Sequence, residues 1–119
     1  MPFWDGKNLS LTALDLQGNL LWNTDLGPYV SQHGAGHSPV VVGEHVILAI
    51  DQDGAADVVA LSTANGEVAW KTPRPPFRAS YSTPILVDQG DGPEVVVTST
   101  AGVSGYDPES GSEKWKWTW

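Results

Sequence analysis

"ALSTANGEVAW" (Ala60–Trp70) decides the fold, because the chain carries something close to it three times. The first copy is "ALDLQGNLLW" (Ala13–Trp22) and the last is "GYDPESGSEKW" (Gly105–Trp115). From Trp22 to Trp70 is 48 residues and from Trp70 to Trp115 is 45, and Gly18, Gly66 and Gly111 keep the same separations. A period of this size belongs to a supersecondary unit that is stacked several times.

The strand signals inside each unit say which one. In the second, "SPVVVG", "EHVILAID", "DVVALS" and "EVAWKT" are four β-rich runs separated by turns bearing Gly, Asp or Asn. The third repeats the scheme with "STPILVD", "PEVVVTST", "GVSGYD" and "EKWKWTW". The first offers "LSLTALDL" and "LLWNTDL", with a short strand expected around Phe3 and Trp4. No run has helical periodicity. The expected fold is all-β: propeller blades of four antiparallel strands, forming an incomplete ring in one chain. The expected units are a partial blade over residues 1–27 and blades over 37–73 and 82–119.

Within the motif, "TANG" and "PESG" read as hairpins between the third and fourth strands of a blade. Their glycine supplies the positive φ at which a Cβ would clash. Trp22, Trp70 and Trp115 each lie four residues beyond that glycine. A large ring at one fixed position per blade can pack on the neighbouring blade. Its burial is worth roughly 4–6 kcal/mol at most, from about 150–250 Å² at ~25 cal/mol/Å². Three copies in register fit poorly with unrelated core tryptophans.

The pattern A-x-D-x-x-T-G-x-x-x-W resembles the tryptophan-docking motif of PQQ-like β-propeller repeats. That superfamily includes the quinoprotein alcohol dehydrogenases and the propeller lipoprotein that assists outer-membrane protein assembly. The resemblance covers nearly the whole chain. Ser62 replaces the Asp, Asn65 and Ser110 the Thr, and Gly105 the Ala, while the first copy is one residue short. Each departure keeps a small or turn-compatible residue. What the resemblance implies about location is a periplasmic or extracellular parent family. The N-terminus, "MPFWDGKNLS", lacks the basic start and apolar stretch of a secretion signal, so a cytoplasmic location on expression is the expectation.

Composition narrows the function classes. The 119 residues carry 14 acidic against 6 basic side chains, a net charge of −8, which disfavours nucleic acid and anionic membranes as partners. No stretch approaches the roughly 18 apolar residues of a membrane span. Cysteine is absent, so the vicinal disulfide that holds the quinone in many of the dehydrogenases cannot form. Their calcium and catalytic carboxylates are not found at recognisable positions either. There is no G-x-S-x-G elbow, P-loop or G-x-G-x-x-G. No catalytic, cofactor or metal residue is therefore assigned and no cofactor is expected; calcium and PQQ stand as the alternatives.

Ligand groups of propellers usually come from the loops between blades and between second and third strands. Here these are "GPYVSQHGAGHS", "DQDGAAD", "PRPPFRASYS" and "STAGVS". They are expected to gather His33, His37, Asp51, Asp53, Asp57, Arg74, Arg78 and Tyr81 on one face. "HGAGH" has a metal-like histidine spacing, but its glycines argue for loop histidines that hydrogen-bond backbone. The carboxylates of "DQDGAAD" suit calcium or an acidic turn, and the glycine is misplaced for an EF-hand. "VDQGDGPEV" is an acidic turn expected at the opposite face. "RPPFRAS" is a stiff connector that could hold an anion on its two arginines.

About 46 residues per blade gives two and a half to three blades, whereas propellers typically need four to eight. At the C-terminus, Trp115, Trp117 and Trp119 alternate with Lys116 and Thr118, so one strand face is all tryptophan. Together with Phe3 and Trp4 at the other end, these residues are the expected interface of a homo-oligomer, dimer or trimer. The expected function is a non-enzymatic binding or scaffolding propeller that offers its loop face to a protein or small molecule. A fragment of a quinone- or metal-dependent oxidoreductase, or a truncated or engineered chain without its own activity, is the alternative.

Overall fold

Among the described residues, which are 1–75 and 78–119 of the computed structural model, the chain forms eleven strands and no helix. Pro76 and Phe77, in the connector discussed above, lie outside the described residues. The strands make three antiparallel meanders, none closed into a barrel. The first contains β1 (Pro2–Trp4), β2 (Asn8–Leu14) and β3 (Leu20–Pro28). The second contains β4 (Val40–Val42), β5 (His45–Ile50), β6 (Ala56–Ser62) and β7 (Val68–Arg74). The third contains β8 (Ile85–Asp88), β9 (Pro93–Thr98), β10 (Gly102–Tyr106) and β11 (Glu113–Thr118).

The core lies in two seams between the sheets. Val46, Leu48 and Ile50 of β5 face the first sheet and meet Leu9, Leu11 and Tyr29. The alternate residues Ile47 and Ala49 face the third sheet and meet Val95, Val97 and Tyr106. The middle sheet is thus buried on both faces, which is why "HVILAI" is a continuous apolar run rather than an alternating one. The first strands of the second and third sheets, β4 and β8, touch each other. Successive meanders stacked face to face, with their first strands converging, are β-propeller blades.

The repeated motif marks each seam. Gly66 and Gly111 have φ of 75° and 74°, and each donates its N–H four residues back, to the carbonyls of Ser62 (2.9 Å) and Asp107 (2.8 Å). Gly18 also has a positive φ, 86°, but its shorter turn closes on Asp15 at 3.0 Å. The Trp22 indole donates to the carbonyl of Thr63 at 3.0 Å, and Thr24 Oγ1 donates to that of Gly66 at 2.7 Å. At the second seam Trp70 donates to Pro108 O (2.9 Å) and Thr72 Oγ1 to Gly111 O (2.6 Å). A Cβ at Gly66 or Gly111 would overlap the indole opposite it. On their own sheets the three tryptophans pair across strands with Ala13, Ala60 and Gly105. The small residue that opens the motif therefore lies beneath the ring, and the glycine lies against the neighbour's ring.

Trp115 differs. Its indole lies against Gly105 and donates to Glu94 Oε2 of its own sheet at 2.7 Å.

Candidate functional site

Four loops leave the sheets on one side. Gln32 and His33 from the β3–β4 loop, Asp53 from the β5–β6 loop, and Arg78, Ala79 and Tyr81 from the β7–β8 loop line one recess. Thr100 from the β9–β10 loop completes the wall, and the cavity measures about 210 Å³. Hydrogen bonds tie these loops together. The Ser31 and Tyr81 hydroxyls are 2.6 Å apart, and the Ala79 N–H donates to Asp53 Oδ1 at 3.0 Å. The Asp53 N–H donates to the Val30 carbonyl at 3.2 Å, and the Val30 N–H to Gln52 Oε1 at 2.9 Å.

Beneath the recess lies a buried polar layer. His37 is only 5% exposed; its ring meets the Tyr29 ring edge-on at 5.2 Å and is tilted against Tyr81 at 6.3 Å. Burial pushes the His37 imidazole below the ordinary histidine range, while the nearby Asp51 backbone pulls it up more weakly. Arg74 Nε pairs with Asp51 Oδ1 at 3.1 Å, and both side chains are buried. Burial raises the Asp51 carboxyl and the Arg74 charge partly offsets it. Among the described residues, Tyr29 Oη, both His37 ring nitrogens, Asp51 Oδ2 and Arg74 Nη1 have no hydrogen-bond partner. Polar atoms with such needs, in a layer held between two sheets, make a stiff support for the exposed rim.

Of the eight residues expected on this face, His33, Asp53, Arg78 and Tyr81 line the recess and His37, Asp51 and Arg74 lie below it. Asp57 does not join them. It sits in β6 and pairs with Lys71 of β7 at 3.3 Å, so it belongs to the sheet rather than the loop. Gln32, Thr100 and Tyr29 also take part; nothing in their type or spacing distinguished them from other loop residues. Chemically the recess offers hydrogen-bond donors and acceptors, one guanidinium, one carboxylate and an aromatic wall. Ser31, its nearest hydroxyl, bonds Tyr81 rather than an imidazole, so it lacks an adjacent base.

The residues expected at the interface divide as well. Phe3 is half exposed, but the Trp4 ring is against Gly34 and meets Tyr29 edge-on at 6.3 Å, as part of the loop support. Trp117 and Trp119 are 60% and 64% exposed and pack edge to face at 5.2 Å. Trp119 also donates to the Thr100 carbonyl at 3.1 Å.

Residues 7–119 match the family described as outer membrane protein assembly factor BamB. Among solved structures, BamB from Moraxella catarrhalis superposes with a TM-score of 0.58 at 12% identity, over 100% of this chain and 35% of that one. At this identity the likeness is one of fold, and the chain spans about a third of that protein's length. No curated protein matches the sequence.

Proposed function

We infer the function from one premise: the chain belongs to the family of the outer membrane protein assembly factor BamB, and its three sheets are part of a β-propeller. We propose that it is a non-enzymatic binding and scaffolding module, with a ring completed by association of copies. The observation that carries the binding role is the recess that four separate loops build together, with Tyr81 and Arg78 on its rim. Tyrosine and arginine over a stiff support are the side chains that anchor protein contacts. The family description, an assembly factor, favours a protein partner over a small molecule. Three sheets per chain are below the four to eight blades of a closed propeller, so two copies would give about six and three about nine.

Two measurements test this. Sedimentation equilibrium should give two or three times the chain mass of 12.7 kDa; a single-chain mass at all concentrations removes the ring by association. Calcium and PQQ, added with an alcohol and a dye acceptor, should give no turnover. Stoichiometric cofactor uptake with dye reduction would replace the binding role with the oxidoreductase one.

A further inference from the structure

We propose that the two open ends of the sheet stack mate head to tail between copies. Trp115, Trp117 and Trp119 of one chain would seat against the Leu14–Leu21 turn around Gly18 of the next. This inference rests on the ring-by-association reading and gives it a specific interface.

The inner seams supply the rule. Across the second sheet, cross-strand pairing runs Val40–Ile47–Ala60–Trp70. The third sheet covers that row, leaving Ile47 and Ala60 fully buried. The register of the third sheet repeats the row as Ile85–Val96–Gly105–Trp115. Nothing covers it: Ile85 is 56% exposed and Trp115 41%. This apolar row, extended by Trp117 and Trp119, has the makings of a sheet-packing face left on the surface, and contiguous apolar patches of that kind mark interaction sites.

The other end has the matching half. Gly66 and Gly111 each lie beneath the indole of the preceding sheet, whereas Gly18, in the same place on the first sheet, has open space beside it. Around it Leu14, Leu16, Leu20 and Leu21 are all exposed, Leu16 completely. Leu14 and Leu16 also wall an apolar groove of about 530 Å³ with Met1 and Val41, which has room for an indole.

The departures from the repeat fall on both open ends and agree with each other. At the inner seams the residue two beyond the tryptophan is Thr24 or Thr72, and its hydroxyl bonds the glycine carbonyl. In the third copy that place is Trp117. The turn residue that offers its carbonyl to the indole is Thr63 or Pro108. In the shorter first turn Leu16 stands there. The open junction thus exchanges a polar contact for apolar bulk on each side, tryptophan on one and leucine on the other. Because the two faces differ, the contact is heterologous and closes into a ring when the rotation per chain allows it.

The 119-residue chain tests this with two variants at exposed positions, Trp117→Glu and Leu16→Glu, each checked for an unchanged far-ultraviolet spectrum. Sedimentation velocity should show the unaltered chain as a closed oligomer and each variant alone as a monomer. An equimolar mixture keeps one intact pair of faces and should form a 1:1 dimer that grows no further, at least about tenfold tighter than either variant's self-association. A mixture that stays monomeric while the unaltered chain associates overturns the interface. So does a Leu16→Glu chain that still dimerises, because the tryptophan faces would then be pairing with themselves. Association untouched by both substitutions removes this interface and leaves the ring reading standing. A monomeric unaltered chain removes both.

Discussion

The Trp70 indole covers Gly111 of the next sheet so closely that no Cβ fits between them, and it donates its Nε1 proton to Pro108 three residues earlier. Gly111 is constrained twice, by this contact and by its φ of 74°. Gly43 has a positive φ of 57° but open space around it. Gly43→Ala should therefore cost only the backbone term, about 1–2 kcal/mol. Gly111→Ala should cost about 1–3 kcal/mol more, the usual penalty for overpacking. Urea unfolding of the two variants makes the comparison, and equal losses would mean the ring does not press on Gly111.

The opposite substitution empties the same seam. Trp70→Ala should destabilise the chain by roughly 3–5 kcal/mol, as for other buried large rings. Thr72→Val, which removes the hydroxyl bond to the Gly111 carbonyl and keeps the shape, should cost about 1 kcal/mol. A loss below about 1 kcal/mol for Trp70→Ala would mean that the third sheet does not depend on this ring.

The fold was legible because it is written in short-range signals that recur. Gly66, Gly111 and the tryptophan four residues on require only local turn chemistry and one contact with a neighbour, so three copies in register imply stacking. The recess was legible only in outline. His33, Asp53, Arg78 and Tyr81 follow strand ends and come together because consecutive sheets stack about one side. Asp57 adjoins the same acidic loop, yet one strand position moves it out of the face and onto Lys71. The pair Asp51–Arg74 joins the end of β5 to the end of β7, two strands away, which no spacing in the chain announces. Trp4 was misjudged for a similar reason: its partners, Gly34 and Tyr29, arrive from a loop beyond the next two strands.

That buried ion pair should behave as a unit. Removing one partner strands the other charge between the sheets, so Asp51→Asn and Arg74→Met should each cost about 3–5 kcal/mol. The double variant should cost clearly less than the two together, because no uncompensated charge remains. Urea midpoints for the four chains give the coupling. Additive losses would show that the pair is hydrated and loosely held, against its 3.1 Å contact and near-complete burial.

His37 should set the stability profile on the acid side of neutrality. Its folded imidazole titrates below the ordinary value of 6.5, because burial disfavours the charged form. The unfolded chain therefore takes up the proton first as pH falls. The stability that neutral His37 contributes is complete above about pH 6.5 and drains away as pH drops through the folded value. Asp51 acts in the opposite sense. Its raised carboxyl contributes fully below the unfolded value of 3.8 and loses its contribution as pH rises through the folded one. The two are separated by scanning His37→Phe in parallel, since everything else is common to both chains. Phenylalanine fits the aromatic slot between Tyr29 and Tyr81 and carries no proton. Between about pH 7.5 and 5.5 the urea midpoint of the unaltered chain should fall relative to that of His37→Phe, which should be the more resistant of the two at the lower pH. Parallel curves across that range would mean that His37 takes its proton inside the fold as readily as outside it, and that the layer under the recess is open to water.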